Sequence, residues 1–140
     1  MMFKTLVTAF LITSAISSTS YAAKQNCASD AEAEYSVPVG LLSVMSAQEV
    51  SRPKDTFYGP MRLYKGVIPF AASGIGATEN EIKTNPCQNY RGAAWLLMNK
   101  FGGKDTKDIF TAVNVYYYGT HKKEFGPVTI NIRKLYQGFR

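Results

Sequence analysis

The chain has 140 residues and a formal net charge of +6, and 46% of its residues are hydrophobic. This length fits one domain and not two, and it is enough for a real hydrophobic core. The basic excess suits contact with an anionic polymer, such as a cell wall, a membrane surface or nucleic acid. It is equally compatible with a solubilising surface that has no partner.

The first 22 residues have the pattern of a secretory signal peptide. Lys4 supplies a positive start, and a short apolar run follows at 6–16. Ser20 and Ala22 are small residues at the positions that a signal peptidase reads. The run is shorter than the roughly 20 residues that a membrane-spanning helix needs.

We therefore predict that 1–22 is removed and that 23–140 is one exported domain with no integral membrane segment. A retained N-terminal anchor is the alternative. Loss of Lys4 lowers the net charge from +6 to +5. Export argues against nucleic acid as a partner and favours a wall or membrane surface.

Two cysteines, Cys27 and Cys87, predict one disulfide in an oxidising compartment. It would close a loop of about 60 residues and stabilise the fold by about 4 kcal/mol in the chain-entropy model. The rival interpretation, a metal site, lacks ligands, because His121 is the one histidine and no CxxC motif is present.

The N-terminal half predicts two helices and then a loop. The first helix covers 27–35, with Asp30, Glu32 and Glu34 on its exposed face. Pro38 suits the first turn of a second helix, which we expect to run to about Glu49. Residues 52–76 are rich in Pro, Gly and aromatic residues without helical periodicity, which predicts a loop with at most a short helical turn.

The C-terminal half predicts further helices. Thr78 and Glu81 form a capping-box pattern for a brief helix. A longer helix is expected at 85–101, ended by Gly102, and Asp105 is expected to cap the next, which Gly119 ends. The last segment, 127–136, is a helix or, because it is rich in β-branched residues, a strand. The prediction is an all-α or α-dominated compact domain with a long central loop region.

Glu49 is the candidate catalytic residue. It follows Met45 by four residues and Leu42 by seven, so it extends the apolar stripe of the second helix. Burial there would raise the pKa of the carboxyl and suit it to donate a proton to a leaving oxygen. Two alternatives stay open: the helix ends earlier and the side chain enters water, or Glu49 pairs with Arg52.

Residues 35–49, Y-S-V-P-V-G-L-L-S-V-M-S-A-Q-E, resemble the start of soluble lytic transglycosylase domains. The resemblance is to the small exported members that accompany type IV secretion, type III secretion and pilus systems. In that family an apolar helix beginning VPxGLL ends in the catalytic glutamate, nine residues after its glycine. Gly40 and Glu49 keep this spacing.

Three further segments match the family in the same order. Residues 58–63, Y-G-P-M-R-L, look like its GPMQI turn, and 85–97 is similar to its DPCxNxxxGAWLL helix. Residues 112–119 line up with its AxxxYxxG segment. Together the four segments span most of the predicted mature chain.

This resemblance implies a lysozyme-like α fold, a periplasmic location and a groove for peptidoglycan glycan strands. Glu49 would protonate the glycosidic oxygen between MurNAc and GlcNAc. It would then take the proton of the MurNAc C6 hydroxyl as that oxygen closes onto C1, giving a 1,6-anhydro end. This route uses one carboxyl and no cofactor or metal, whereas most glycosidases use two carboxylates.

The resemblance also implies substrate-binding residues. Met61 would line the groove beside Glu49, and its turn, with Tyr58, Gly59 and Arg62, would place groups against the sugar. Tyr116 matches the family's tyrosine, whose hydroxyl can bond near the catalytic carboxylate. Its position on the apolar face of its helix is equally typical of a core aromatic residue.

The chain departs from the family at several positions. Val50 replaces the usual serine, Arg62 replaces a glutamine, and Tyr117 stands where asparagine or histidine is common. The stretch between Glu49 and Gly59 is also short. Two alternatives to the enzyme follow: a non-catalytic glycan-binding component of a secretion or pilus apparatus, or a cationic protein acting on membranes. The latter lacks a helix with a basic face opposite a broad apolar one.

Overall fold

The computed structural model of the chain describes residues 19–119 and 123–138. Helices dominate these residues, which confirms the α-dominated prediction. The elements are α1 (Thr19–Tyr35), α2 (Leu41–Ser46), β1 (Phe57–Tyr58), β2 (Leu63–Tyr64), α3 (Ile68–Ile75), α4 (Glu79–Thr84), α5 (Pro86–Trp95), α6 (Ile109–Tyr118) and α7 (Pro127–Gly138). A π-helical turn, Leu96–Lys100, continues α5, and a 3₁₀ turn, Gly103–Asp105, precedes α6.

Helix α1 begins earlier than the sequence predicts. It starts at Thr19 instead of Cys27, so it runs through the predicted cleavage point after Ala22. Residues 1–18, which hold most of the predicted signal peptide, lie outside the described residues. Removal of the signal peptide stays a prediction.

The long central loop is wrong in part, because it contains α3. Pro69 stands in the first turn of this helix, where its missing N–H costs nothing. Ile68, Ala71 and Ala72 form its buried face, and Gly76 ends it in the left-handed conformation. Proline and glycine therefore mark the two ends of a helix here and not a loop.

Before α3 the chain forms a two-stranded antiparallel hairpin. Phe57 pairs with Tyr64, and Tyr58 pairs with Leu63. The four residues between the strands are the turn that resembles the family's GPMQI motif. The hairpin thus fixes both ends of that turn.

Local signals in the C-terminal half are mostly confirmed. The Thr78–Glu81 capping box is present at α4, and Gly119 ends α6 with φ 72°. Asp108, and not Asp105, caps α6 by accepting from the Phe110 amide at 3.0 Å. Segment 127–138 is a helix, since its buried residues Thr129, Ile132 and Tyr136 follow helical spacing.

Helix α5 lies at the centre of the domain, packed against α1, α3 and α4. The predicted disulfide is confirmed, and Cys27–Cys87 joins α1 to α5. Beside it, the Arg91 guanidinium donates to the Glu34 carboxylate at 2.8 Å. This ion pair is partly exposed, so its contribution to stability is small. The covalent link and the apolar packing therefore do most to hold α1 on α5.

Glu32 does not lie on the exposed face of α1, as the sequence predicted. It is 3% exposed, and its carboxylate accepts from the Gly40 and Leu42 amides at 2.8 Å each. Those amides belong to the start of α2, whose first N–H groups have no partner within the helix. The chain between α1 and α2 folds back over Glu32, which helical periodicity alone does not reveal.

Among the described residues, no helix is both long enough and apolar enough to cross a bilayer.

Replacing Glu32 should destabilise the domain. In Glu32→Gln one acceptor oxygen remains, but an amide N–H₂ then faces a backbone N–H. We expect a loss of about 2–3 kcal/mol in the free energy of unfolding, measured by urea denaturation. Asp30→Asn removes the same charge from an exposed position of α1 and is the matched control. Equal stability of the two variants would contradict the assigned role of Glu32.

Candidate functional site

Helix α2 ends at Ser46, so Glu49 lies beyond it and not on its apolar stripe. In a longer helix the Gln48 amide would donate to the Val44 carbonyl, but here the Gln48 side chain donates to it instead. Its Nε2 donates to the Val44 carbonyl at 3.0 Å, while the Gln48 amide bonds to Met45 instead. Asn131 of α7 holds the same side chain by donating to its Oε1 at 2.7 Å.

Glu49 is exposed, so the burial predicted from helical spacing is not found. Its carboxylate forms no ion pair with another described residue, Arg52 included. It stands on the wall of an open depression of about 550 Å³, which we call the Glu49 depression. The other lining residues are Ser46, Ala47, Gln48, Val50, Ser51, Pro60 and Arg62.

The structure brings part of the predicted turn to Glu49. Pro60 and Arg62 line the Glu49 depression, but Tyr58 and Gly59 do not. Met61 is 3% exposed and belongs to the hydrophobic core, so the expectation that its side chain lines a groove beside Glu49 is wrong. The hairpin directs Met61 inward and leaves its two neighbours at the surface.

Asn89 of α5 holds the turn, a role that the sequence analysis missed. Its Oδ1 accepts from the Met61 amide at 2.9 Å. Its Nδ2 donates to the Tyr58 carbonyl at 3.0 Å and the Ile82 carbonyl at 3.1 Å. Gly59 leaves room for this amide, since a Cβ there would come within 2.3 Å of it. An asparagine among the apolar residues of α5 was the available signal, because a buried amide needs partners.

Tyr116 and Tyr117 tie α6 to both sides of the site. The Tyr116 hydroxyl donates to the Met61 carbonyl at 2.6 Å, and the Tyr117 hydroxyl donates to the Met45 carbonyl at 3.3 Å. Tyr116 also packs edge-on against Phe101. Burial raises the pKa of both hydroxyls, and the positive charge of Arg52 opposes that rise.

Arg52, three residues after Glu49, bonds to two other segments of the site. Its guanidinium donates to the Arg62 carbonyl at 3.3 Å and to the Tyr117 carbonyl at 3.2 Å. It also lies over the Phe57 ring at 4.5 Å and over the Tyr117 ring at 5.1 Å. The segment that carries Glu49 is thereby fastened to the turn, to the hairpin and to α6.

A second cavity, of about 340 Å³, adjoins the Glu49 depression. We call it the aromatic cavity, because six aromatic residues line it: Phe57, Tyr64, Phe101, Tyr116, Tyr117 and Tyr118. Two cationic residues, Arg52 and Arg62, also line it, together with Leu63, Val67, Val115 and Gly119. Arg62 lines both hollows, so the two are neighbours across this residue.

Among residues 19–119 and 123–138, no three potential metal ligands lie together. His121 lies outside the described residues.

Comparison with known proteins gives no relative: no family model, curated protein or solved structure matches the chain. The basis for a function is therefore the motifs of the chain and the geometry of the site.

Asn89→Ala should loosen the turn. It leaves the buried Met61 amide and two carbonyls without their partner, which should lower the free energy of unfolding by about 2–4 kcal/mol. Chemical denaturation measures this. Asn99→Ala is the control, because Asn99 is exposed and bonds only to the Trp95 carbonyl of its own helix. The role of Asn89 is disproved if both variants lose the same small amount.

The free energy of unfolding should fall steeply above pH 10. The unfolded chain releases tyrosine protons near pH 10, whereas the partly buried Tyr116 and Tyr117 keep theirs to higher pH. Above pH 10 the folded state thus binds more protons, and the free energy of unfolding falls by up to about 1.4 kcal/mol per pH unit for each tyrosine.

Urea denaturation between pH 9 and pH 11 measures this slope. We expect Tyr116→Phe and Tyr117→Phe each to flatten it. Tyr64→Phe, at a side chain that is 45% exposed, controls for the loss of a hydroxyl. An unchanged slope in both the Tyr116 and the Tyr117 variant would rule out their part in it.

Proposed function

We propose that the chain is a peptidoglycan lytic transglycosylase that acts in the periplasm with Glu49 as its single acid and base. The observation that carries the proposal is a juxtaposition. Glu49 and the turn residues Pro60 and Arg62, which come from two of the segments that resemble the family, line one open depression. A glycan strand lying there would have the carboxyl and the turn on either side.

The proposed reaction needs only the groups present. The protonated Glu49 carboxyl gives its proton to the glycosidic oxygen, and the bond from C1 of MurNAc to that oxygen breaks. The C6 oxygen of the same MurNAc bonds to C1, and its proton passes to the Glu49 carboxylate. The carboxyl is thus restored, no water is consumed, and the product carries a 1,6-anhydro ring.

Because Glu49 is exposed, the substrate itself would have to shield its carboxyl group from water. A saccharide in the depression would displace water from the carboxylate, and a carboxyl group shielded from water retains its proton more readily. Once the proton has moved, Glu49 is an anion. Arg62 lines the same depression and would stabilise that charge.

Val50 removes the hydroxyl that the family has directly after its glutamate. Ser51 lines the Glu49 depression one residue later and offers a hydroxyl to the substrate from the same segment. The irregular chain after α2 makes such a one-residue shift compatible with the rest of the site, since no helical register fixes it.

A second function rests on a different observation. Among the described residues, no hydrogen bond fixes the Glu49 carboxylate in the free protein. A glycan-binding component of a secretion or pilus apparatus, which holds the wall without cutting it, would need only the depression. We rank this second, because binding alone requires no acidic residue at position 49.

Glu49→Gln should abolish the formation of anhydro products. The amide keeps the size of the side chain but cannot transfer the proton, and loss of an acid/base typically costs at least about 10²-fold in rate. The measurement is mass spectrometry of muropeptides after incubation of purified protein with peptidoglycan. Glu79→Gln, at an exposed position of α4, is the control and should cut like the wild type.

Three other results would each redirect the assignment. Equal anhydro products from both variants would remove Glu49 from the reaction. Reducing ends instead of anhydro ends would indicate hydrolysis. Retained binding to peptidoglycan with no product from the wild type would favour the glycan-binding component.

A further inference from the structure

Among the described residues that line the aromatic cavity, two are cations, Arg52 and Arg62, and none is an aspartate or a glutamate. Neither arginine forms an ion pair with another described residue. A half-buried charge without a counter-ion is unfavourable, so an anion entering from solvent would gain from both arginines.

Arg52 is held ready for such a ligand. Two of its N–H groups donate to backbone carbonyls, and a guanidinium has five, so donors remain for a bidentate partner. The rings of Phe57 and Tyr117 pack against it, with centroids 4.5 Å and 5.1 Å from its Cζ. A carboxylate is the small anion whose two oxygens match this planar fork.

The rest of the lining selects for a ring. Six of the described residues that line the space are aromatic. Aromatic rings can pack against the C–H faces of a pyranose. A volume of about 340 Å³ lies at the low end for ligand sites, which run from about 300 to 1,000 Å³. One sugar residue suits this space better than an extended oligomer.

Arg62 connects this cavity to the proposed reaction. Its φ is 50°, a left-handed backbone conformation that is unfavourable for residues other than glycine. From there it lines both hollows. A ligand in the aromatic cavity would thus lie next to the Glu49 depression.

We propose that the aromatic cavity is a subsite for a carboxylate-bearing sugar residue, with Arg52 and Arg62 binding the carboxylate. This inference rests on the proposed function, in which the substrate contains muramic acid. There the carboxylate has two sources: the lactyl group of MurNAc in peptide-free strands, or the stem peptide in intact wall.

The test compares matched ligands on the whole protein by calorimetry and by NMR of the Arg52 Nε–H signal. MurNAc and GlcNAc differ only in the lactyl group, and muramyl dipeptide carries its carboxylate on the peptide. We expect a carboxylate-bearing ligand to bind at least tenfold more tightly than GlcNAc. Tighter binding of MurNAc identifies the lactyl source, and tighter binding of the dipeptide identifies the peptide source.

Variants locate the site. Arg52→Gln and Arg62→Gln should each remove the preference over GlcNAc. Arg133→Gln should keep it, because Arg133 also lies over aromatic rings but outside the cavity. Circular dichroism checks folding. Should Arg52→Gln fail to fold, Arg62→Gln and the ligand comparison on the wild type still decide.

The two proposals fail separately. Equal affinity for GlcNAc and both carboxylate ligands, or no binding of any, overturns the subsite even if the wild type makes anhydro products. A carboxylate preference that Arg62→Gln leaves intact also overturns it. A preference that persists in Glu49→Gln supports the subsite, whatever the outcome of the cutting assay.

Discussion

The buried amide of Asn89 is the interaction on which the site depends. It bonds to the turn at Tyr58 and Met61 and to α4 at Ile82, so one side chain fixes the turn against the centre of the domain. A buried amide is stable only when its donors and acceptors are satisfied together. Any movement of the turn breaks at least one of these bonds, and the position of Arg62 is set as a consequence.

The two sides of the Glu49 depression are held differently. The turn is fixed by the Asn89 side chain of α5 and by the Tyr116 hydroxyl of α6. The Glu49 segment follows a helix of one and a half turns, and its ties are Gln48 before the glutamate and Arg52 after it. Glu49 thus lies in a short irregular span between two anchored residues, and in the proposed reaction its carboxyl group would face two oxygens in turn.

Most of the helical framework could be predicted from the sequence, because caps and periodicity are local. Thr78, Asn85 and Gly119 act at the helix ends where their residue types predict. The errors arise where tertiary contacts decide. Glu32 looks exposed until the chain folds back to offer it two amides. Likewise Glu49 extends an apolar stripe only if α2 continues, and α2 ends at Ser46.

Arg62 lines both the aromatic cavity and the Glu49 depression. Its backbone carbonyl accepts from the Arg52 guanidinium, so Arg52 is bonded to the turn that carries the Arg62 side chain. Two like charges around one cavity repel each other, and an anion between them removes that repulsion while it neutralises both. In the proposed subsite, a sugar carboxylate in the aromatic cavity would therefore bridge two side chains whose segments are already joined by the bond from Arg52 to the Arg62 carbonyl. Substrate binding and the placement of Glu49 would then be coupled through a single pair of arginines.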